Sequence, residues 1–412
     1  MPRPSRQSPS QSPAKSSREK RPTSGRRIGR RYELHEIAGR GGMAVVWRGT
    51  QHGDVGFSRT VAVKQMHDHL ASSQIYVDMF AEEARVLATV ASPNIATVYD
   101  FVNEDGQYYL VQEWIDGIDL GSYIHFYCGR DSRTRWELVT AIGIGVMRAL
   151  AAAHERRGAD GEVLPIVHRD VSPHNILITN EGMVKLIDFG LSLARDRDKE
   201  LTDPGIVKGK MSYLSPEIVG GQRPSPLSDQ FAAGSVMWEA LVGRKLFDGQ
   251  NDYEIYKKLR EGQVQPLRPL RRDVPRELAA VIHRALAADE TQRFAGAREM
   301  ASHLADVLRS HRAPKDLHDM LGDSAREARE GMERVQRDNE PSSTTPVADL
   351  DQRTPVTLDR LERPVSGETP VPPRGRQQRE TAQVDPGARK GLLHKIPLFL
   401  RRLTSRDDDS RG

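Results

Sequence analysis

Apolar and polar positions alternate in different ways along the 412-residue chain. Residues 1–28 are Ser, Pro, Arg, Lys and Gln with almost nothing to bury, a disordered composition. From Tyr32 the pattern changes. Residues 32–37 half alternate as a strand, and 45–47 and 60–63 predict two further short strands. Residues 75–90 read as a helix, with apolar Val86, Leu87 and Val90 at i, i+1 and i+4. Residues 108–114 predict another strand. After Gly117 helices dominate. The longest, 136–157, is rich in Ala and Leu and is expected to be buried over much of its surface. Residues 176–178 and 184–187 predict a hairpin about the turn sequence Asn180-Glu181-Gly182. Further helices are expected over 229–241, 277–286 and 297–309. Beyond about Pro314 one charged run, 324–336, has helical character, and the rest is a Pro/Thr/Arg-rich tail without repeats.

A strand-rich start followed by helices predicts an α+β chain of two lobes with a cleft between them. Residues 32–309 suffice for a full core. The hydrophobic fraction, 37%, lies below the roughly 45–50% of an ordinary globular domain, because the two ends are apolar-poor. No stretch approaches the roughly 18 apolar residues of a membrane-spanning helix, and the basic N-terminus has no apolar signal core. The single cysteine, Cys128, excludes an intramolecular disulfide framework and a multi-cysteine zinc site. The reading is a soluble protein of the reducing cytoplasm.

The net charge of +4 is unevenly placed. Residues 1–31 carry ten Lys/Arg and one Glu, and residues 313–412 carry eighteen basic and eighteen acidic side chains. The remainder, 32–312, therefore holds −5, the total less +9 and zero. The basic character belongs to a tail and not to a nucleic-acid-binding face.

Several residues suggest chemistry. Gly39-Arg40-Gly41-Gly42-Met43-Ala44-Val45-Val46 is a glycine loop between strands. Missing side chains there let backbone N–H groups approach phosphate oxygens, although a ligand-free glycine hairpin has the same sequence. In Val61-Ala62-Val63-Lys64 a lysine interrupts an apolar strand, which is costly without a partner. It either snorkels at an edge or is held over phosphates by a helix carboxylate, Glu83 being the first choice and Glu82 the second. His168-Arg169-Asp170 follows, with Asn175 five residues past the Asp, and then Asp188-Phe189-Gly190. A carboxylate and an amide oxygen brought together by a strand pair suit an oxygen-loving metal such as Mg²⁺, leaving Asp170 to orient a hydroxyl.

In this order and spacing, the set resembles the eukaryotic-type (Hanks-type) protein kinases, in particular their bacterial serine/threonine branch. The resemblance covers about residues 32–309. It implies a two-lobed kinase fold: a small antiparallel-sheet N-lobe with one key helix, about 32–113, and a larger helical C-lobe, about 117–309. By that likeness Lys64 pairs ATP phosphates and Glu83, Asp170 is the catalytic base, and Asn175 and Asp188 hold Mg²⁺. The nucleotide would meet Ala38, Gly39, Arg40, Gly41, Gly42, Met43, Ala44, Val45, Val46, Ala62 and Leu177. Gln112 falls at the gatekeeper position, and Glu113 to Ile115 form the hinge that meets adenine. Ser215-Pro216-Glu217 stands where the family has Ala-Pro-Glu, with Arg293 placed to pair Glu217. Asp229 and Gly234 match the buried pair opening the large central helix. His168, Phe189, Leu87 and Val98 fit the regulatory spine, which is also what ordinary core residues look like.

Three positions depart from the family. Ala44 replaces the third loop glycine, with little loss expected. Ser172 stands where serine/threonine members carry a lysine that neutralises the transferring phosphoryl group. Lys210 stands where they carry a threonine that contacts that lysine and the Asp. The expectation is that the Lys210 ammonium reaches back beside Asp170, against the alternative of two unrelated changes. Between Asp188 and Glu217 lie Ser192, Thr202, Ser212 and Tyr213. Thr202 is the expected phosphorylation site, with Arg169 suited to hold its phosphate.

The implied function is transfer of the ATP γ-phosphoryl group to protein Ser/Thr hydroxyls, including the chain's own in trans, in cytoplasmic signalling. The rivals are a scaffold without turnover and a small-molecule phosphotransferase. Intact Lys64, Glu83, Asp170, Asn175 and Asp188 oppose the first, and the Ser215-Pro216-Glu217 segment opposes the second. The flanks, 1–31 and 310–412, are expected to be disordered. Thr345, Thr354 and Thr369 each precede a proline as possible phosphoacceptors. Residues 392–403 (LLHKIPLFLRRL) are short, basic and apolar, but Pro397 weakens a membrane-surface helix there. No nucleic-acid partner is expected.

Overall fold

The computed structural model describes residues 25–130, 133–158, 160–189 and 211–339. The upper lobe is a six-stranded antiparallel sheet of β1 (Arg27–Ile28), β2 (Tyr32–Arg40), β3 (Ala44–His52), β4 (Ser58–Met66), β5 (Val98–Glu104) and β6 (Gln107–Glu113), in the order β1-β2-β3-β4-β6-β5. A short helix α1 (Asp68–Ala71) and the longer α2 (Gln74–Leu87) lie between β4 and β5. Strand alternation divides the side chains between two faces. Val61 and Val63 of β4, with Tyr109 and Val111 of β6, pack into one core with Tyr32, Leu34 and Trp47. On the other face Met66 and Leu110 pack against Val77, Phe80 and Ala84 of α2. Lys64, two residues from Met66, is thereby turned towards α2 as well. The sheet curls until its ends meet: the Gly29 N–H donates to Glu104, and Tyr32 Oη and Arg31 both donate to Asp100 at 2.8 Å.

Trp114 to Asp116 lead into the lower lobe. It opens with β7 (Gly117–Asp119), α3 (Leu120–Cys128) and α4 (Trp136–His154), then the hairpin of β8 (Ile176–Thr179) and β9 (Val184–Leu186). Next come α5 (Pro216–Val219), α6 (Pro226–Val242), α7 (Asp252–Arg260), α8 (Leu267–Leu270), α9 (Arg276–Ala285), α10 (Ala297–Ser310) and α11 (Leu317–Asn339). The centre is α6, buried from Ser228 to Leu241. Its start is fixed by a capping box at Ser225 with Pro226 in the first turn, and its end by Gly243 at φ 85°. Among the described residues α4 is long and apolar enough to cross a membrane, so the expectation that no segment approaches that limit was too strict. Its apolar surface is spent on the core, where Leu138, Val139, Ile142, Val146 and Leu150 are buried.

The two-lobed α+β arrangement expected from the sequence is present. Residues 317–339, placed in the tail expected to be disordered, are instead helical. Helical structure continues through α11, which the charged run at 324–336 announced only in part. Its packing stripe of Leu321, Ala325, Ala328 and Gly331 is mostly small residues, which bury without reading as an apolar face. Helix α11 lies against α3, α4, β7 and β8. Residues 1–24 and 340–412, with the threonine-proline pairs and 392–403, lie outside the described residues.

Candidate active site

The glycine segment closes the β2–β3 hairpin, with the Gly41 N–H donating to the Ala44 carbonyl at 2.9 Å. Ala38 to Arg40 extend β2, and Ala44 to Val46 begin β3. The turn between them is tied from β4. The Met43 carbonyl accepts from the His67 N–H at 3.0 Å, and the Gly41 carbonyl lies 2.8 Å from His67 Nε2. His67 had no sequence signal, because its partners are backbone atoms 24 and 26 residues away.

Lys64 faces Val46 across β3 and Leu110 across β6. Its ammonium lies 3.2 Å from Glu83 Oε1 on α2 and 3.1 Å from Asp188 Oδ1. Glu82 points outward and pairs with Arg85, which leaves Glu83 as the lysine's helix partner. Burial alone would lower the Lys64 ammonium, but the Asp188 and Glu83 charges outweigh it and hold its pKa above the ordinary value. Burial, with the Asp188 charge adding, raises the Glu83 carboxyl. One ammonium thus serves two carboxylates, of which Glu83 is the more enclosed.

The segment from His168 to Asn175 is held from below by Asp229 of α6. That buried carboxylate accepts from the His168 N–H at 2.7 Å and the Arg169 N–H at 2.8 Å, and pairs with His154 Nε2 at 2.8 Å. Arg169 is thereby kept in the left-handed region, at φ 69°. Burial holds the His168 imidazole below its ordinary pKa, so it stays neutral. Its Nε2–H donates to the Ile187 carbonyl at 3.0 Å, its Nδ1 accepts from the Asp170 N–H at 3.3 Å, and its ring meets Phe189 at 4.4 Å between centroids. Asn175 Nδ2 donates to the Asp170 carbonyl at 2.8 Å and to Asp170 Oδ2 at 3.0 Å. The Asn175 carbonyl in turn accepts from the Ile187 N–H at 2.9 Å, which places Asp188 beside this loop.

Two clusters therefore form, Lys64–Glu83–Asp188 and Asp170–Asn175. Asn175 spends its amide N–H₂ on Asp170 and keeps its amide oxygen for a hard cation; with the Asp188 carboxylate this suits a divalent metal that also takes phosphate oxygens. Among the described residues no three His, Cys, Asp or Glu side chains form a cage of their own. Ala62 and Gln112 pair across β4 and β6, and both are buried. Leu177 of β8 lies opposite Asp119 and Lys185. Glu113 forms an ion pair with Lys185 at 2.7 Å, a link between residues 72 apart that no local pattern reveals.

Glu217 and Arg293 form a two-pronged buried pair at 2.7 Å on both arms. Gly234 allows close packing, since a Cβ there would lie 3.1 Å from Ala285. Leu87, Val98 and Phe189 share the lower-lobe core. Ser172 is buried, as are Ser212 and Tyr213, whose hydroxyl donates to Glu239 at 2.7 Å. Gly190, Ser192, Thr202 and Lys210 lie outside the described residues, and with them the exchange expected between Ser172 and Lys210.

The family model described as protein kinase domain matches residues 32–304. Among curated relatives, tyrosine-protein kinase MasK of Myxococcus xanthus is 34% identical over 280 residues, covering 68% of this chain and 43% of its own length. Serine/threonine-protein kinase PrkC of Bacillus subtilis is 32% identical over 280 residues, covering 68% of this chain and 41% of its own. The chain thus spans less than half the length of either. Among solved structures, the kinase domain of Mycobacterium tuberculosis PknI aligns at TM-score 0.51 and 25% identity, over 69% of this chain and 98% of that one. The antiparallel upper sheet and the helical lower lobe are those of that fold. With a match over about two-thirds of its length, the chain belongs to the protein kinase domain family.

Proposed function

We propose that this protein transfers the γ-phosphoryl group of ATP to serine and threonine hydroxyls of proteins, its own included. The observation that carries this reading is the convergence of Lys64, Glu83 and Asp188 on one side with Asp170 and Asn175 on the other. Asp170 orients the acceptor hydroxyl and takes its proton as the hydroxyl oxygen bonds to the γ-phosphorus. The bond from that phosphorus to the bridging oxygen breaks, and ADP leaves with the electron pair. Lys64 offsets phosphate charge, and the turn at Gly41 to Met43 offers backbone N–H groups. Asn175 and Asp188 would hold Mg²⁺, which would supply positive charge to offset that of the phosphates.

Arg169 supports regulation by loop phosphorylation. Its Nε is buried without a partner among the described residues, ready for a phosphate on the segment that contains Thr202. Lys210→Ala is expected to cost as much activity as Lys64→Ala; parent-level turnover in the first would remove Lys210 from the mechanism. A reducing cytoplasmic setting fits the single cysteine, Cys128. A second reading, tyrosine as an additional acceptor, is favoured by Ser172 in place of the marker lysine and by the relative named a tyrosine kinase.

The test is transfer from labelled ATP with Mg²⁺, comparing the protein with its Asp170→Asn variant and identifying the labelled residues by mass spectrometry. Label on Ser/Thr in the parent only supports the proposal, and label on Tyr adds the second reading. ATP binding without any transfer would indicate a scaffold.

A further inference from the structure

Helix α11 begins 13 residues past the end of the family match and lies behind the nucleotide end of the cleft. It meets three separate pieces of that end. The first is the β8–β9 turn: His318 Nδ1 lies 3.2 Å from the Gly182 carbonyl, and Arg326 donates to the Asn180 carbonyl. The fit is close, since a Cβ on Gly322 would lie 2.5 Å from the Asn180 carbonyl oxygen. The second is the link between the lobes. Arg329 pairs with Asp116, which is itself fastened to Asn180 through a backbone bond and a side-chain bond, both of 3.0 Å. The third is α3. Tyr123 Oη lies 3.0 Å from Ser324 Oγ, Tyr127 Oη lies 3.1 Å from both the Ser324 carbonyl and Glu327, between which its single O–H is shared, and Gly331 sits against the Phe126 ring.

The strand behind the first contact carries Leu177, the second contact continues the Glu113–Ile115 segment, and the third steadies the helix that starts from Asp119. Tyr123 and Phe126 are buried, and α11 supplies part of their cover through Ser324 and Gly331. We propose that α11 is a buttress that positions the nucleotide-binding edge of the lower lobe, with Arg329 a positioning residue acting through Asp116, so that docking of α11 governs nucleotide affinity. This goes beyond the phosphotransfer reading, in which α11 has no part.

The test uses the full chain and reads ATP binding without an acceptor, by fluorescence or calorimetric titration, beside thermal unfolding. Gly331→Leu raises helix propensity while driving a side chain into Phe126, and so lifts α11 without melting it. ATP affinity is expected to fall about 5-fold or more, the lower range of typical coupling between sites. Arg329→Ala should weaken ATP binding about 2-fold, as for an exposed ion pair, and Arg329→Lys should restore it. KM for ATP should rise with these changes while KM for the acceptor peptide stays at the parent value. Unchanged ATP affinity in a folded Gly331→Leu protein, even one with lowered Tm, would overturn the proposal and leave α11 a structural cover. If Gly331→Leu does not fold, Arg329→Ala and its lysine rescue decide the matter. A parent that binds no ATP would sink the kinase reading itself, a different result from variants that bind as the parent does.

Discussion

Asp229→Asn is an informative single substitution because three donors converge on one buried carboxylate. The amide has nearly the same shape but only one accepting oxygen. Its best orientation keeps that oxygen on the His168 N–H and on His154 and turns an N–H₂ against the Arg169 N–H. The orphaned buried N–H costs about 1–3 kcal/mol, and each of the two surviving bonds loses charge assistance worth about 1 kcal/mol. The loss is thus about 3–5 kcal/mol, or a Tm lower by about 5–8 °C for roughly 300 residues unfolding together. A second effect is separable. Arg169 is held at φ 69°, which costs about 1–2 kcal/mol for a side-chain-bearing residue. Once its N–H is released, Arg169 relaxes and carries Asp170 with it, and a displacement near 1 Å costs about 10²-fold in rate. Calorimetry gives the stability, and turnover measured well below both Tm values gives the rate. A variant that unfolds within about 1 kcal/mol of the parent and keeps its kcat would refute the idea that Asp229 holds this loop.

Other expectations follow from neighbouring features. Glu217→Gln leaves the buried Arg293 cation without its counter-charge and should cost about 3–5 kcal/mol in urea unfolding at pH 7. Burial would raise the Glu217 carboxyl, but the Arg293 hydrogen bonds and charge hold it below its ordinary 4.5. That contribution is present above pH 4.5 and is lost as pH falls through the lower folded value; a parent–variant gap constant down to pH 3 contradicts it. His168 stays neutral when folded and protonates below 6.5 when unfolded, so stability rises with pH across that window. The parent should lose up to about 1.4 kcal/mol per pH unit below 6.5 relative to His168→Gln, and parallel curves would rule this out. Gly221→Ala, at φ +92° in open space, should cost only the left-handed penalty of about 1–2 kcal/mol. Gly182→Ala, at φ +81° against the His318 carbonyl, should cost more and speed proteolysis within α11; equal costs would mean that the helix is not seated there.

What the sequence disclosed depended on where each residue's partner lies. The strands on either side of the glycine segment, the lysine strand and the large helices have periodic apolar faces and were legible. β5 was not, because Val98-Tyr99-Asp100-Phe101-Val102-Asn103-Glu104 mixes acids with aromatics and becomes a strand by pairing with β6. Helix α3 was missed because Leu120 to Cys128 is apolar almost all round and has no polar face to set a period. In the site, Lys64, Asp170, Asn175 and Asp188 are marked by motif and spacing, and Glu83 needed only a choice over Glu82. His67, Lys185 and Arg329 carry no such mark, since each meets a partner supplied by the tertiary fold.

The curled upper sheet also bears on self-association. A sheet with free first and last strands presents rows of unpaired backbone groups, which template pairing with other chains. Here β1 is only two residues long, and the Gly29 N–H next to it is taken by Glu104. On β5 the Phe101 N–H turns onto the Asp100 carboxylate at 2.9 Å, and the same Asp100 receives Arg31 and Tyr32. The seam is thus closed by the Arg31–Asp100 and Arg26–Glu104 pairs, whose carboxylates also take up backbone donors that an incoming strand would need. An extended peptide finds little to pair with along this seam, so recruitment of partners by strand addition is disfavoured there.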